Sequence, residues 1–312
     1  MSDSPLTIPT EPGPTNFFRN PGLPFVFTRL CLYLILGDGA TYTLRWLAHP
    51  LLRGEFSPMS PRYVFVVESV ACAGAFFAAW LMSFLERRSF SEYGLALRAN
   101  FGKLFAQGAL FGLAEISAVL GALAVLGHYH FGALAIHGSA LLRWALIWGL
   151  FFLIVGLYEE FAFRGYVQFT LAQGARFWPA AIFLSILFGA VHYTNSGETW
   201  PGLAGIVLTG LFWCFTLRRT ASLWFAVGMH ASFDFGETFL YSVPDSGAIF
   251  PGHLSNATLA GPTWLSGGTA GPEASIFDFL MILAFFFIFD RLHPAVRKGI
   301  PESSNPYQIT NS

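Results

Sequence analysis

Leu146-Ile-Trp-Gly-Leu-Phe-Phe-Leu-Ile-Val-Gly-Leu157 is a run apolar enough for the hydrocarbon of a bilayer, and Tyr158-Glu-Glu-Phe-Ala-Phe-Arg-Gly-Tyr166 follows it directly. The adjacent carboxylates Glu159 and Glu160 therefore fall where charge is expensive and usually functional. On a helix of about 3.6 residues per turn, Glu160 and Arg164 form an i,i+4 pair on one face, whereas Glu159 points about 100° away. Glu160 thus has a partner in its own helix, and Glu159 needs one from elsewhere.

Two later motifs supply candidates for that partner. They are Phe188-Gly-Ala-Val-His192 and His230-Ala-Ser-Phe-Asp234, and each lies inside another apolar run. The terminal residues of each motif are again spaced i,i+4, so each pair shares one face of its helix. If these faces point inward, Glu159 joins His192, His230 and Asp234 in a polar cluster within a dry helical bundle.

A cluster of Glu, His and Asp suits hydrolysis. A buried carboxylate can take a proton from water, imidazoles can orient that water or the substrate carbonyl, and nearby dipoles can stabilise the oxyanion. The same set can also ligate a divalent metal, since His with Asp or Glu is a normal zinc shell. The His-Glu-x-x-His signature of common zinc proteases is absent, so metal and cofactor dependence stays open. The candidate metal ligands are Glu159, His192, His230 and Asp234.

Composition places the chain in a membrane. Hydrophobic residues make up 54% of its 312 residues, charged residues 11%, and the mean hydropathy is +0.55, whereas a soluble domain is roughly 25% charged. The net charge of −1 comes without a concentrated basic face, so we expect no nucleic-acid partner. The three cysteines lie in apolar segments at no metal-ligand spacing and are interpreted as small buried side chains.

A spanning window of about 20 residues predicts an all-α polytopic bundle of about eight transmembrane helices. The first predicted span is interrupted by Arg29, Asp38 and Arg45. The fifth and sixth are short, so their helices extend into flanking residues or the bilayer thins around them. The predicted spans are 25–47, 64–85, 104–126, 141–163, 179–193, 203–217, 223–241 and 276–289.

Loop charges predict the orientation, because lysine and arginine concentrate on the cytoplasmic side. Basic residues occupy the 2–3, 4–5 and 6–7 connections and the C-terminal tail, whereas the 3–4, 5–6 and 7–8 loops have essentially none. With eight spans, both termini lie in the cytoplasm, and the cell membrane is the expected location. Arg53 and Arg62 in the 1–2 loop fall on the predicted outer side and are the exception.

The depth of the motif residues in the membrane predicts how far the fourth helix must extend. If that helix starts at Leu141, Glu159 lies near its inner end, whereas His192 lies near the outer end of the fifth span. The two side chains can meet only if the fourth helix runs on past Arg164 towards Gln173. Glu159 would then lie nearer the middle of its helix.

The chain is predicted to divide into three parts. A proline-rich tail at 1–24 is expected to be disordered and to stay attached, because it lacks the basic start and short apolar core of a cleaved signal peptide. A transmembrane domain follows at 25–293, and a polar tail closes the chain at 294–312. Between the seventh and eighth spans, 242–274 is too polar to cross the membrane and is either a mobile lid or a packed cap.

Other residues within the apolar runs have simpler interpretations. Gly108-Ala-Leu-Phe-Gly112 is a small-xxx-small face, which favours close helix packing. Glu68, Glu115 and Glu237 are interpreted as snorkelling or as making interhelical hydrogen bonds, and Glu115 is a candidate for a proton path.

The three motifs, in this order and each on an apolar helix, resemble the CPBP family, which contains the type II CAAX prenyl endopeptidases and the bacteriocin-processing (Abi) membrane proteases. The resemblance covers about 141–241. The stretch Arg87-Arg88, followed by Tyr93-Gly94-Leu95, is also in the style of the family.

This resemblance implies an intramembrane endopeptidase that hydrolyses a peptide bond in a membrane-associated or lipid-modified protein or peptide. By the same resemblance, Glu159 activates water and His192 holds that water. His230 with Asp234 lines the oxyanion side. The predicted partners are therefore the bilayer and a substrate that reaches the site laterally or from the cytoplasmic side.

For Glu160 and Arg164 the resemblance implies a structural or substrate-positioning role. Their spacing alone favours a neutralised pair that braces the helix. Asp234 departs from the prenyl-endopeptidase pattern, which has Asn there; an ionised Asp accepts hydrogen bonds but cannot donate one to an oxyanion. Asp234 is therefore kept protonated by burial, orients His230, or is a metal ligand.

Two other classes of function stay open. A proton-coupled transporter could use the buried Glu/His chain as a relay, although the sequence shows neither an internal repeat nor paired Gly/Pro-broken helices. A catalytically silent scaffold could keep the polar cluster for helix association. The identity of the substrate and the oligomeric state cannot be read from the residues.

Overall fold

The long apolar runs fold as helices, because inside a bilayer each backbone N–H and C=O must be satisfied within its own segment or a closed barrel. The computed structural model describes residues 17–54, 57, 59–97 and 101–294. The predicted tails at 1–24 and 294–312 lie largely outside these residues. The helices are α1 (Leu23–Ala48), α2 (Pro61–Glu86), α3 (Phe101–Val125), α4 (Ser139–Glu160), α5 (Tyr166–Ala175), α6 (Phe177–His192), α7 (Trp200–Thr220), α8 (Trp224–Phe235), α9 (Thr263–Ser266) and α10 (Ile276–Leu292).

The predicted all-α membrane bundle is confirmed, and each of the eight predicted spans lies on a helix. Within the described residues, five helical stretches are long and apolar enough to cross a membrane, and α6 is a shorter apolar helix. The number of crossings therefore stays a prediction. The five long stretches are Leu23–Leu52, Pro61–Glu86, Phe101–Val125, Ser139–Ala175 and Trp200–Thr220.

The fourth helix continues past its predicted end. A π-helical turn at Phe161–Gly165 joins α4 to α5, so that Ser139–Ala175 runs as one apolar stretch of 37 residues. Glu159 therefore lies near the middle of this stretch. This is the condition under which its side chain was predicted to reach His192. A second π-helical turn, Gly236–Leu240, extends α8 immediately after its motif. Single π turns within helices are frequent at functional sites.

The closest helix packing lies between α3 and α8. A Cβ atom at Gly108 would overlap the carbonyl of Phe225, and one at Gly112 would overlap the carbonyl of Met229. The small-xxx-small face predicted on α3 is thus confirmed as a packing face. On the other side of α8, a Cβ at Gly156 of α4 would lie 3.1 Å from the carbonyl oxygen of Val227. Backbone contacts therefore hold α8 between α3 and α4.

Gly108→Ala is expected to destabilise the protein by about 1–3 kcal/mol, because the added methyl group forces α3 away from α8. The check is the midpoint of thermal unfolding in detergent. Gly121→Ala is the matched control on the same helix, since a Cβ there meets nothing within 4 Å. It should leave the midpoint unchanged or raise it slightly, because Ala favours helix over Gly. Equal effects of the two changes would contradict the packing described here.

The segment 242–274 forms a packed cap on one end of the bundle. Its strand β2 (Thr258–Leu259) pairs antiparallel with β1 (Tyr129–His130) from the 3–4 loop. The indole N–H of Trp148 on α4 donates to the carbonyl of Pro251 at 3.0 Å. Of the two predicted alternatives, lid or cap, these contacts favour the cap.

A buried polar network explains one of the three charges that interrupt the first span, Arg29, whereas Asp38 and Arg45 are exposed. Arg29 is fully buried on α1 and lies 3.7 Å from Glu86 of α2. Its guanidinium donates to the carbonyl of Phe18 at 2.9 Å and to the side-chain oxygen of Gln173 at 3.2 Å. Tyr166 donates to Glu86 at 2.6 Å. This network ties the α1–α2 pair to α5 at the end of the bundle opposite the cap.

Candidate active site

The structure brings Glu159, His192 and His230 together from three different helices. The Glu159 Oε2 atom lies 3.8 Å from Nε2 of His192 and 3.8 Å from Nε2 of His230. Both distances exceed that of a direct hydrogen bond. A water molecule bonded to all three atoms fits this spacing, so the geometry suits a water held between one carboxylate and two imidazoles.

Contacts on three sides fix the ring of His230. Its Nδ1 lies 3.1 Å from Oε1 of Glu160, and its Nε2 lies 3.3 Å from Oδ2 of Asp234. The ring of Trp213 stacks on it with centroids 4.6 Å apart and an angle of 16° between planes. Since an ionised carboxylate only accepts, the Nδ1–H of His230 donates to Glu160. Its Nε2 is left facing Asp234 and Glu159.

Glu160 and Arg164 form the ion pair that their spacing predicts. The Nη1 to Oε1 distance is 3.2 Å, and both side chains are fully buried. The Arg164 guanidinium also lies over the ring of Phe188, 4.1 Å from its centroid. Because the same Glu160 oxygen accepts from His230, this pair does more than brace its helix. It also positions an imidazole of the cluster.

His192 is oriented from its own helix. Its Nδ1 lies 2.7 Å from the backbone carbonyl oxygen of Phe188, and a carbonyl can only accept, so Nδ1 carries a proton. In the neutral ring Nε2 then has a free lone pair, which faces Glu159. The i,i+4 spacing of Phe188 and His192 thus selects the tautomer that can hold a water.

A cavity of about 370 Å³ opens beside these side chains. This is within the usual size range of ligand sites, about 300–1,000 Å³. One wall is polar and holds all four residues of the predicted cluster, whereas the apolar walls come from α2, α4 and the cap. The lining includes Val64, Glu68, Phe151, Val155, Glu159, His192, His230, Asp234, Ser246 and Phe250.

A second, smaller cavity of about 50 Å³ lies behind His230 and is strongly acidic. Glu115 and Glu237 line it and are 2% and 1% exposed, so of the two predicted alternatives, snorkelling and interhelical hydrogen bonding, their burial argues against the first. The acidic residues of this lining are Glu115, Asp234, Glu237, Glu273 and Asp278.

Two acidic residues outside the spans show how strongly this region is dehydrated. Burial raises the pKa of the Glu273 carboxyl to about 8. Burial, followed by the effect of the neighbouring Asp234 carboxylate, raises the pKa of Asp245 well above its ordinary value. These carboxyl groups therefore hold protons or need a positive counter-charge.

The described part of the chain contains one group of three or more His, Cys, Asp or Glu side chains with potential ligand atoms close enough to hold a metal. It consists of Asp234, Glu237 and Asp245, whose oxygens all lie within 4.8 Å of one another. Asp234 is the single member shared with the ligand set predicted from sequence. Glu159 and Asp245 line the larger cavity, and His192, His230 and Asp234 line both cavities.

Sequence reasoning missed Trp213 and Asp245. Trp213 lies on α7, which carries none of the three motifs, and Asp245 lies in the cap, which has no helical period. Their positions depend on packing between segments distant in the sequence. No local pattern marks either residue as part of the site.

Fold and site together describe a helical membrane protein in which one glutamate and two histidines from three helices meet beside a cavity. The family model described as Type II CAAX prenyl endopeptidase Rce1-like matches residues 140–236, which contain all three motifs. This match supports the resemblance to the CPBP family, which includes these CAAX endopeptidases, that the three motifs predicted. Comparisons with the curated proteins and with the solved structures gave no match.

Proposed function

We propose that this protein is an intramembrane endopeptidase that hydrolyses a peptide bond of a membrane-associated or lipid-modified protein by means of water activated by Glu159. The observation that carries the proposal is the equal distance of 3.8 Å from Glu159 Oε2 to the Nε2 atoms of His192 and His230. These three atoms border a cavity large enough for a short extended peptide.

The reaction begins with water held by Glu159 and by Nε2 of His192. Glu159 takes one proton as the water oxygen attacks the peptide carbonyl, and the carbonyl oxygen becomes an oxyanion. His230, protonated at Nε2, donates to that oxyanion. As the C–N bond breaks, Glu159 returns its proton to the leaving amine. The products are one new amine and one new carboxylic acid, which releases its proton at neutral pH to become a carboxylate.

The role proposed for Asp234 follows from its contact with His230. The Nε2 to Oδ2 distance of 3.3 Å supports orientation of the ring and compensation of its positive charge. Of the three roles left open for Asp234, this one needs no hydrogen-bond donor from an ionised carboxylate. His230, rather than Asp234, then supplies the N–H that the Asn of the prenyl-endopeptidase pattern would offer.

The larger cavity also bears on how a substrate reaches the site. Its apolar walls come from α2 and α4, and its upper wall from the cap. The basic turn Arg218-Arg219 lies at the C-terminal end of α7, at the end of the bundle opposite the cap. If both termini are cytoplasmic in the cell membrane, the cavity faces the outer half of the bilayer. We therefore favour lateral access past α2 and α4, with a helical substrate unwound before cleavage.

The test is proteolysis by the purified protein in liposomes. The panel contains a peptide with a prenylated C-terminal cysteine, the same peptide without the prenyl group, and a single-span membrane peptide. Mass spectrometry of the products should show one hydrolysed peptide bond for at least one of the two membrane-bound substrates. Proton flux in the same liposomes is measured in parallel. Substrate-driven flux without hydrolysis would favour the transporter, which the family match does not support.

Trp213→Leu is expected to lower kcat by about 10-fold with little change in KM, because the ring of His230 loses the stacked surface that holds its orientation. Trp213→Phe retains an aromatic face and should recover most of the rate. Trp80→Leu, at a residue 48% exposed on α2, is the control. Equal loss in the Leu and Phe variants would show that Trp213 does not act through stacking.

A further inference from the structure

A group of carboxylates lies behind the catalytic side chains, where the proposed hydrolysis does not use it. Asp234 belongs to α8, Glu237 to the π-helical turn that follows, and Asp245 to the cap. Potential ligand oxygens of these three residues lie within 4.8 Å of one another. We call Asp234, Glu237 and Asp245 the carboxylate cluster.

Neighbouring groups hold the cluster in place. The hydroxyl of Thr238 donates to Oδ2 of Asp245 at 2.9 Å, and the backbone N–H of Ser246 donates to Oε1 of Glu273 at 2.7 Å. Glu273 precedes α10 and lies beside Glu237. Asp234, Glu237 and Glu273 thus line the 50 Å³ cavity, and Asp245 borders the neighbouring larger cavity within ligand distance of Asp234 and Glu237.

Two buried carboxylates from other helices point to a missing ligand. Glu115 on α3 and Asp278 on α10 line the same 50 Å³ cavity and are 2% and 1% exposed. Each has an oxygen atom with no hydrogen-bond partner among the described residues. No lysine or arginine of the described chain lines the cavity. Buried carboxylates without partners are costly, so these groups either hold protons or face a positive charge in this volume.

We propose that the carboxylate cluster binds a divalent cation of the hard, oxygen-preferring class, and that Ca²⁺ fits it best. All the available side-chain ligands are oxygens, which favours Ca²⁺, Mg²⁺ or Mn²⁺ over Zn²⁺. Opposite oxygens around Ca²⁺ lie about 4.6–5.2 Å apart, against about 4.0–4.2 Å around Mg²⁺. The oxygens of the cluster lie within 4.8 Å of one another, close enough to share one ion, and Ca²⁺ accepts irregular sets of oxygen ligands more readily than Mg²⁺, which demands near-ideal octahedral geometry.

The cavity has room for the cation with a small number of waters. A volume of about 50 Å³ exceeds the roughly 10–15 Å³ that one water needs. Glu115, Glu273 and Asp278 would accept hydrogen bonds from waters on the ion. Because Asp234 also contacts His230, the cation would join the cap to the catalytic ring. This inference does not depend on the peptidase activity proposed above.

The test is direct cation binding by the full-length protein in detergent after treatment with chelator. Tb³⁺ is the probe, because its luminescence is sensitised by a nearby tryptophan, and Trp213 lines the cavity. We expect saturable binding of one Tb³⁺ per chain, displaced by Ca²⁺ at lower concentration than by Mg²⁺. Saturating Ca²⁺ should raise the midpoint of thermal unfolding by about 3–5 °C.

Substitutions locate the site. Asp245→Asn should weaken Ca²⁺ binding at least 10-fold and remove the thermal shift, and Glu237→Gln provides the same test should the first variant not fold. Glu92→Gln, in an exposed pair with Arg88, is the matched control and should bind like the wild type. Failure of the wild type to bind Tb³⁺ saturably, unchanged binding in both cluster variants, or tighter binding of Zn²⁺ than of Ca²⁺ would overturn the proposal.

Discussion

Glu159→Gln is expected to lower kcat/KM for peptide hydrolysis by about 10³-fold or more while the protein stays folded. Glutamine has nearly the same shape as glutamate, but it cannot take a proton from water, and general-base catalysis typically contributes about 10²–10⁴-fold. The Glu159 side chain is 22% exposed and makes no contact shorter than 3.8 Å with either histidine. The substitution therefore removes the group that accepts a proton from water, and it does not break a buried ion pair.

The measurement is the initial rate of cleavage in liposomes, with the two proteins matched for thermal midpoint and for reconstituted amount. Glu92→Gln, which removes an exposed carboxylate at the other end of the bundle, controls for the loss of one negative charge and should retain full activity. A Glu159→Gln protein that cleaves as fast as the wild type would show that another group activates the water.

Arg164→Leu is expected to destabilise the fold by about 3–5 kcal/mol, the usual cost of leaving one buried charge without its partner. Arg164 and Glu160 are both fully buried with 3.2 Å between their charged atoms, so solvent cannot replace the lost guanidinium. The change also removes the cation that lies over the ring of Phe188. Hydrolysis should fall as well, because Glu160 holds the Nδ1 of His230.

The unfolding midpoint in a denaturing detergent measures this loss. Arg143→Leu, at an exposed arginine on the same helix, should shift the midpoint little. The double variant Arg164→Leu with Glu160→Gln removes both charges and should recover most of the stability. A double variant as unstable as the single one would assign the loss to packing against Phe188 rather than to the unpaired carboxylate.

Local periodicity predicted much of this protein. Helices in a bilayer must satisfy their own backbone, so the apolar runs alone locate the helical segments. The i,i+4 spacing of Glu160 with Arg164, and of His230 with Asp234, correctly places each pair in contact. The depth of Glu159 relative to His192 even required the longer fourth helix that the structure shows.

Long-range packing and one local irregularity escaped prediction. The carboxylate cluster joins Asp234 and Glu237 to Asp245 across a cap with no helical period. Trp213 stacks on His230 from a helix without a motif. The π turns add a residue to a helical turn, and no residue type in Phe161–Gly165 signals that insertion. Each of these features depends on which segments meet, and a single segment does not carry that information.

The glycine contacts of α8 have a mechanical consequence for the proposed hydrolysis. Gly108, Gly112 and Gly156 bring the backbones of α3 and α4 against α8. The side of the bundle formed by these three helices therefore has little room for movement. We therefore expect the rings and carboxylates on that side to keep their mutual distances when the proposed substrate enters. The yielding side must then be the α2 wall of the cavity, whose residues Val64 and Glu68 are only partly buried. The larger cavity thus has a rigid wall on the side of α8 and a movable wall on the side of α2.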